Sequence, residues 1–236
     1  MSVLVVTGTD AAVGKTVVVA ALAVLALRRG SSVSVVKPAQ TGMAPGEVGD
    51  LDHVIRLSGV TNTFEVGRFA EPLSPAAAAR FAGVPTVSLA EVAQLVRELA
   101  ESSRLVIVEG TGGLLERFDE DGGTIGDLAR SLSAQVLVVV RPGRGAVNHT
   151  ALTLEAMANR GLEPTGIVIG SWPDEPGIVE RSCVCDLEML AARPLAGVLP
   201  EGAGRMGGEE FAEVARRGLG VMLGGSFDPA GFKAAL

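Results

Sequence analysis

A glycine-rich segment near the start of the sequence contains residue types that bind phosphate. It runs from Gly8 to Thr16 and reads Gly-Thr-Asp-Ala-Ala-Val-Gly-Lys-Thr. In segments of this kind the backbone N–H groups surround phosphates, the lysine reaches the terminal phosphates, and the threonine hydroxyl binds magnesium. Five residues separate the two glycines, one more than in the common pattern, which widens the loop without removing a functional group. The segment predicts a binding site for a nucleoside triphosphate, in which Lys15 would contact the phosphates and Thr16 would bind magnesium.

A second lysine and several carboxylates stand where they could meet this triphosphate. Lys37 and Glu109 each follow a run of apolar residues, and Asp50, with Asp52 nearby, precedes a helix-length segment. Two lysines facing one triphosphate suit phosphoryl transfer, because fixed cations then meet the charge that spreads over the γ-phosphate. With Thr16, the carboxylates would supply the oxygen ligands that Mg²⁺ prefers. Spacing alone leaves open whether the aspartates bind metal or cap a helix.

Other polar residues give weaker signals. Asn148 and His149 begin a helical segment after a glycine-containing loop, where free N–H groups could hold a carboxylate, although His149 itself is expected to pack or cap. Trp172, the only tryptophan, could stack on a base or cover apolar surface. Cys183 and Cys185 are interpreted as incidental thiols, since their spacing suits neither a disulfide nor zinc.

Apolar runs alternate with helix-length segments along the chain, and this alternation is typical of an α/β fold with a parallel sheet. The predicted strands are 3–6, 33–36, 105–108, 136–140, 167–169 and an edge strand within 194–199. The predicted helices are 15–29, 51–58, 88–102, 148–160, 178–192 and 209–217. Ligands of such sheets bind at the carboxyl ends of the strands, so the residues after each strand should form the site. We expect one domain over residues 1–236.

Composition restricts the possible partners. The chain has 236 residues, a net charge of −7, 47% hydrophobic and only 3% aromatic residues, so its core should be aliphatic. An acidic chain is a poor nucleic-acid binder. The longest apolar run, 17–27, is shorter than the ~20 residues that cross a bilayer. We therefore expect a cytoplasmic protein with no nucleic-acid or membrane partner.

Several motifs in this order resemble those of the dethiobiotin synthetase family. The matching stretches are Val6–Thr16, Lys37–Gly42, Glu71–Pro75, Val108–Gly113 and Asn148–Thr153. The resemblance implies a three-layer, P-loop NTPase-type (Rossmann-like) fold and a homodimer. It also implies the conversion of 7,8-diaminopelargonic acid, CO2 and a nucleoside triphosphate such as ATP, with Mg²⁺, into dethiobiotin, nucleoside diphosphate and phosphate. One amine captures CO2 as a carbamate, the carbamate takes the γ-phosphoryl group, and the second amine closes the ureido ring.

The same resemblance implies roles for individual residues. Lys37 is the implied catalytic lysine, and Lys15 assists it. Thr16, Asp50 and Glu109 are the implied magnesium ligands, with Asp50 chosen over Asp52 by the family's spacing. The implied substrate contacts are Thr41, Gly145 and Asn148. The implied nucleotide contacts are Ala12, Val13, Gly14, Lys15, Thr16, Val17, Asp50, Glu109, Gly110, Thr111, Gly112, Gly170, Ser171, Pro200, Glu201 and Gly202.

The sequence departs from the family's pattern in two places. Gly170-Ser171 stands where many members have Asn-Asp, whose asparagine reads adenine, so we predict a less strict preference for ATP. Ala11-Ala12 replaces a common Thr-Glu pair, which removes side-chain contacts near the phosphates. Residues 202–236 match the family poorly, and beyond the implied contact of Gly202 the sequence does not assign them a role.

Two other classes share this type of fold. A partition or septum-site switch ATPase usually has a second lysine at the start of the loop, where Thr9 and Asp10 stand here, and a basic amphipathic tail. An amidating enzyme of the cobyrinic-acid type carries an additional glutamine-hydrolysing domain, for which this chain is too short.

Overall fold

The computed structural model describes residues 2–236, which form a parallel sheet between two layers of helices. The strands are β1 (Ser2–Gly8), β2 (Val33–Thr41), β3 (Thr63–Phe69), β4 (Leu105–Gly113), β5 (Gln135–Val140), β6 (Pro164–Trp172) and β7 (Gly197–Pro200). Their order in the sheet is β3-β2-β4-β1-β5-β6-β7, and each neighbouring pair is parallel. The predicted three-layer fold is confirmed.

The helices connect these strands and cover both faces of the sheet. They are α1 (Lys15–Arg28), α2 (Asp50–Ser58), α3 (Pro75–Ala82), α4 (Leu89–Ser102), α5 (Ile125–Ser131), α6 (Ala146–Ala158), α7 (Ile178–Ala191), α8 (Gly208–Gly218) and α9 (Pro229–Ala234). Short 3₁₀ turns lie at Ala203–Arg205 and Val221–Leu223. One apolar core lies beneath α1, α2 and α8, and the other beneath α3 to α7. Val, Leu, Ile and Ala dominate both cores, as the composition predicts.

Several strands are longer than the sequence suggested, and the extension of β2, β4 and β6 corrects the position of several site residues. Lys37, Glu109 and Gly170 were expected just after strands, but they lie within β2, β4 and β6. The prediction ended each strand with its β-branched run, whereas backbone pairing to a neighbouring strand continues through glycine and proline. Pro38, expected to fix a turn, is part of β2.

The path of β2 and β4 opens a crevice at the functional edge of the sheet. Their pairing runs from Val33 to Val36 of β2. Beyond it each strand pairs with its other neighbour, so that Lys37 lies opposite Glu65 of β3, and Glu109 lies opposite Val6 of β1. The divergence also accommodates Pro38, which has no N–H to donate to a ladder.

Four elements, β3, α3, α5 and α9, were not predicted from the sequence. Strand β3 is an edge strand with mostly half-buried residues, so it lacks the continuous apolar run of the central strands. Helices α5 and α9 have seven and six residues, too few for a clear helical period. Helix α3 consists largely of alanine, which gives no contrast between two faces.

The last helix packs against Trp172, for which the sequence left two interpretations open. Its indole packs edge-on against Phe232 of α9, with ring centroids 5.1 Å apart, and Phe232 also contacts Phe227. These rings pack on the core beneath α3 to α7, so Trp172 covers apolar surface.

Within residues 2–236, no helix combines the length and the apolarity that crossing a membrane requires.

Candidate active site

The phosphate loop lies between the end of β1 and the start of α1, and its shape depends on glycine. Gly14 precedes α1 with φ of 100°, a left-handed conformation that disfavours any side chain. A Cβ placed on Gly14 would also lie 2.6 Å from the carbonyl oxygen of Gly170 on β6. The loop is therefore in backbone contact with β6, and the helix N-terminus points its free N–H groups into the crevice.

Lys15 begins α1 and turns back over the loop. Its Nζ donates a hydrogen bond to the carbonyl oxygen of Asp10, 2.8 Å away. Burial, and next the nearby charge of Lys37, lower the pKa of Lys15 from 10.5 to about 8. A cation that is short of counter-charge in this way is well suited to receive the anionic phosphates of a nucleotide.

Lys37 stands between two carboxylates at the base of the crevice. Its Nζ lies 2.5 Å from Oδ2 of Asp50 and 2.9 Å from Oε1 of Glu109, and only 2% of the residue is exposed. Burial alone would lower the pKa of Lys37, but the charges and hydrogen bonds of Glu109 and Asp50 outweigh it and raise the pKa. Lys37 is therefore a fixed buried cation.

The two carboxylates differ in their surroundings. Burial raises the pKa of Asp50, but the Lys37 ammonium outweighs it, and the net shift is downward. The pKa of Glu109 is raised, first by complete burial and further by the charge of Asp50, despite the opposing effect of Lys37. The Thr16 hydroxyl donates to Oε1 of Glu109 at 2.7 Å. One edge of the crevice thus contains a hydroxyl, two carboxylates and an ammonium group.

These oxygen atoms fit a magnesium ion. Oε2 of Glu109 is buried and has no hydrogen-bond partner among residues 2–236. The same part of the chain contains no cluster of three or more His, Cys, Asp or Glu that could enclose a metal without other ligands. Mg²⁺ typically uses one or two carboxylates together with water and substrate phosphates, so a site of two carboxylates and one hydroxyl beside a phosphate loop suits it.

Most of the expected nucleotide and metal residues line one cleft of about 490 Å³. The expected residues lining it are Ala12, Gly14, Lys15, Thr16, Val17, Lys37, Thr41, Asp50, Glu109, Thr111 and Gly112. Val13 instead packs into the core beneath α1, and Gly110 lies on β4 against Ile125. The Thr111 hydroxyl donates to the carbonyl oxygen of Ala39 at 2.5 Å, which ties β4 to β2 across the crevice.

The residues expected near the base lie outside that cleft. A Cβ on Gly170 would be 2.3 Å from the carbonyl oxygen of Val13, so the backbone of the phosphate loop occupies the space of a side chain. Ser171 follows on β6, and Pro200 of β7 pairs with Trp172. Glu201 is held by a backbone hydrogen bond to Trp172 and an ion pair with Arg141. Gly202 precedes the 3₁₀ turn at Ala203–Arg205.

A second cleft, of about 390 Å³, lies on the other side of the phosphate loop. It is lined by Thr9, Asp10, Gly113, Leu114, Leu115, Glu116, His149, Leu152, Thr153 and Ala156. Of the expected substrate residues, Gly145 caps α6 with φ of 85° next to the His149 ring, and Asn148 is exposed on the first turn of that helix. Leu115 and Leu152 are 50% and 57% exposed. Thr41 lines the nucleotide cleft, whereas Gly145 and Asn148 line neither cleft, so a single chain does not gather these three residues.

Asp50 and Asp52, which spacing left open, have different contacts. Asp52 Oδ2 accepts the backbone N–H of Gly49 at 2.7 Å, closing the first turn of α2, whereas Asp50 turns towards Lys37. The sequence analysis missed Gln40, which lines the nucleotide cleft and accepts the N–H of Asp50 at 2.9 Å. Its place in the motif Lys37–Gly42 was the available signal, but no role was assigned to it.

Comparison with solved structures shows the fold. The chain is similar to a MinC:MinD cell division protein complex from Aquifex aeolicus, with a TM-score of 0.60, 16% identity, and coverage of 97% of this chain and 98% of that one. It is also similar to a ParA family ATPase from Chlorobium tepidum TLS, with a TM-score of 0.58, 15% identity, and coverage of 94% and 95%. At these identities the likeness concerns architecture alone.

Sequence comparison shows the family. A family model described as an AAA domain matches residues 2–204. A relative from Parafrankia sp. (strain EAN1pec), named ATP-dependent dethiobiotin synthetase BioD, is 58% identical over 99% of this chain and 98% of its own. One of the same name from Mycobacterium avium (strain 104) is 52% identical over 91% and 93%. The first match includes most of the segment 202–236, which the motif comparison had judged a poor match. The chain therefore belongs to the family of ATP-dependent dethiobiotin synthetases.

Proposed function

We propose that this chain forms dethiobiotin from 7,8-diaminopelargonic acid, CO2 and a nucleoside triphosphate, with ATP as the cosubstrate named by its family. The observation that carries the proposal is the Lys37 ammonium, buried between Asp50 and Glu109 beside the phosphate loop. A fixed cation in this position suits a reaction that brings an anionic carbamate against an anionic triphosphate.

The reaction requires three bond-forming steps. An amine of the substrate attacks CO2 and loses a proton, giving a carbamate. A carbamate oxygen then attacks the γ-phosphorus, and the nucleoside diphosphate leaves. The second amine attacks the carbamoyl carbon, loses its proton and expels phosphate, which closes the ring. We propose that Lys37 and Lys15 hold the carbamate and phosphoryl oxygens during these steps, because both are buried cations that line the nucleotide cleft.

We propose that Thr16, Asp50 and Glu109 hold Mg²⁺ together with the phosphates. The unpartnered Oε2 of Glu109 supports this assignment, since a buried carboxylate oxygen needs a donor or a cation. When bound, the ion neutralises phosphate charge and polarises the γ-phosphoryl group. The protein's own contribution is the rigid placement of these oxygens on α1, α2 and β4.

Further nucleotide contacts are assigned to four groups of residues. We propose that 12–17 surround the phosphates, that 110–112 contact the nucleotide from β4, and that 170–171 and 200–202 approach its ribose and base. The first two groups are supported by the members of each that line the nucleotide cleft, which are all except Val13 and Gly110. The last two rest on family resemblance and on their position at the ends of β6 and β7.

We propose that the diamine substrate binds with its amines at the nucleotide cleft and its carboxylate at a site that a homodimer completes. Thr41, which lines the nucleotide cleft, would contact the diamine end, while Gly145 and Asn148 would take the substrate carboxylate from the partner chain. Exposed Leu115 and Leu152 at the second cleft support a second copy as their cover. We further propose a single domain over residues 1–236 and action in the cytoplasm, since Cys183 and Cys185 are free thiols.

The direct test mixes the protein with 7,8-diaminopelargonic acid, bicarbonate, Mg²⁺ and ATP, and follows dethiobiotin by mass spectrometry together with phosphate release. We expect product from the wild type and none from Lys37→Met. Lys233→Met is the matched control, because it removes an ion-paired lysine, 2.6 Å from Glu188, that lines neither cleft. Hydrolysis without dethiobiotin would contradict the proposal, as would full activity of Lys37→Met.

A further inference from the structure

The segment that delivers Asp50 to the crevice has no regular structure of its own. It connects β2 to α2 through residues 42–49, and its tip around Gly46–Val48 is exposed. A metal ligand at the end of such a segment needs support, because a carboxylate binds a metal well only when its position is fixed. The contacts of Gln40 and Arg68 provide that support.

Gln40 holds the segment from inside the cleft. It is 4% exposed, and its Oε1 accepts the backbone N–H of Asp50 at 2.9 Å. Its Nε2 donates to the carbonyl oxygen of Thr41 at 3.2 Å. One buried side chain thus connects the end of β2 to the residue that carries the carboxylate.

Arg68 holds the segment from β3. Its Nη1 donates to the carbonyl oxygen of Glu47 at 2.8 Å and reaches that of Ala44 at 3.4 Å. Its Nε and Nη2 donate to the two oxygens of Glu65 at 2.6 and 2.9 Å. The bidentate pair restricts the guanidinium to one orientation, so its remaining N–H groups are aimed at the segment.

Gln40 and Arg68 converge on one residue. They are partners in the β2–β3 register. A Cβ built on Gly49 would lie 2.7 Å from Nη2 of Arg68 and 3.2 Å from Oε1 of Gln40, so both side chains reach the glycine before Asp50. The register of an edge strand therefore determines where this segment enters α2.

We propose that Gln40 and Arg68 are positioning residues that fix Asp50 for metal binding. The inference rests on the proposed role of Asp50 as a magnesium ligand. Neither side chain belongs to the proposed ligand set of Thr16, Asp50 and Glu109; both would act through the backbone between Ala44 and Asp50. Their removal is expected to weaken metal binding and to leave the phosphate loop unaffected.

The test measures Mn²⁺ binding by electron paramagnetic resonance, with a non-hydrolysable ATP analogue bound, in the wild type, Arg68→Met and Gln40→Met. Both substitutions keep side-chain volume and remove hydrogen bonds. We expect the Kd for Mn²⁺ to rise about tenfold in each. We expect the Kd of the analogue measured in EDTA to stay unchanged, and Arg68→Lys to regain part of the Mn²⁺ affinity. Arg216→Met is the matched control, because Arg216 makes a similar bidentate pair with Glu213 on α8.

Three outcomes would overturn the proposal. Unchanged Mn²⁺ affinity in both variants, with Asp50→Asn weakened, would leave the metal role of Asp50 intact and remove the positioning role. Unchanged affinity in Asp50→Asn would overturn that metal role and the inference that rests on it. Equal loss of Mn²⁺ affinity and of analogue affinity in EDTA, with a lower Tm by circular dichroism, would show a general structural role.

Discussion

Lys37 is a buried cation between two carboxylates. We therefore expect its removal to destabilise the protein when no nucleotide or metal is bound. Lys37→Met would leave the carboxylates of Asp50 and Glu109 without their shared ammonium group. Breaking a buried pair by removing one partner costs about 3–5 kcal/mol. We expect a loss of this size at pH 8 in urea unfolding, and partial recovery on addition of Mg²⁺, which replaces the missing positive charge.

Lys233→Met serves as the control here too, because the ion pair of Lys233 with Glu188 lies near the surface, where water screens such pairs and they contribute little to stability. An equal loss in the free energy of unfolding of Lys37→Met and Lys233→Met would show that the buried ion pairs of Lys37 contribute no more to stability than a surface pair. A Lys37→Met protein whose stability did not respond to Mg²⁺ would contradict the assignment of the two carboxylates to the metal.

Lys15 predicts a pH dependence of nucleotide binding. Its pKa of about 8 in the nucleotide-free protein lies below the ordinary 10.5, so it is protonated below pH 8 and loses its charge above it. The phosphates bind the charged form. The Kd for ATP measured in EDTA should therefore be constant below about pH 7.5 and rise above pH 8, up to about tenfold per pH unit.

Lys15→Arg separates this effect from other titrations, because arginine stays charged throughout that pH range. We expect the arginine variant to bind ATP more weakly, because its planar guanidinium group does not reproduce the contact of the ammonium group. Its Kd for ATP should nevertheless stay constant over this pH range. The same rise above pH 8 in Lys15→Arg would assign the titration to another group.

Base selectivity is a further prediction at the residue scale. Neither Gly170 nor Ser171 has a side-chain amide that could hydrogen-bond to adenine. We expect comparable kcat/KM for ATP, CTP and GTP in the dethiobiotin assay. A preference of about 100-fold for ATP, equivalent to ~2.7 kcal/mol in transition-state binding, would contradict this.

Among the elements, the contact of β6 with the phosphate loop constrains both. Because a Cβ on Gly170 would lie 2.3 Å from the carbonyl oxygen of Val13, Gly170→Asn must displace the loop. We expect this variant to bind all three nucleotides more weakly and to unfold at a lower Tm, with no gain of ATP preference. A preference of Gly170→Asn for ATP over CTP and GTP, at an unchanged Tm, would show that the phosphate loop can move to accommodate the asparagine side chain.

Ser171→Asp is the companion variant, because it introduces the second residue of the Asn-Asp pair at a half-buried position next to the contact. Nucleotide affinities are expected to change less than in Gly170→Asn. A Tm as low as that of Gly170→Asn would mean that the whole end of β6, and not the glycine contact, is sensitive.

For the whole molecule, the second cleft implies dependence on assembly. Leu152→Glu places a charge on an exposed leucine at this cleft. If a second copy covers it, the variant should sediment as a monomer and lose dethiobiotin formation, while ATP affinity measured in EDTA is retained because the phosphate loop is formed by one chain. Ile178→Glu, on a still more exposed apolar residue at the start of α7, is the control. A wild type that sediments as a monomer while active would contradict the dimer.

The order of motifs along the chain was sufficient to predict the architecture and the family. Continuous β-branched runs specify strands buried on both faces, and such strands require helices on either side. The P-loop at residues 8–16, together with Lys37 and Glu109 after two of these runs, pointed to phosphoryl transfer because local spacing and residue type determine that chemistry. Elements with weak local signals, such as β3 and α5, were missed for the same reason.

Only the tertiary structure decided which side chains meet. The divergence of β2 and β4 buries Lys37 beside Glu109, although 72 positions separate them in sequence. The β2–β3 register brings Arg68 to the segment before Asp50. The contact between Val13 and Gly170 shows why a glycine stands at that point of β6. Each of these contacts depends on strand pairing between residues far apart in sequence, which local residue spacing does not encode. The local pattern specifies the helices and strands, and their packing specifies which side chains meet.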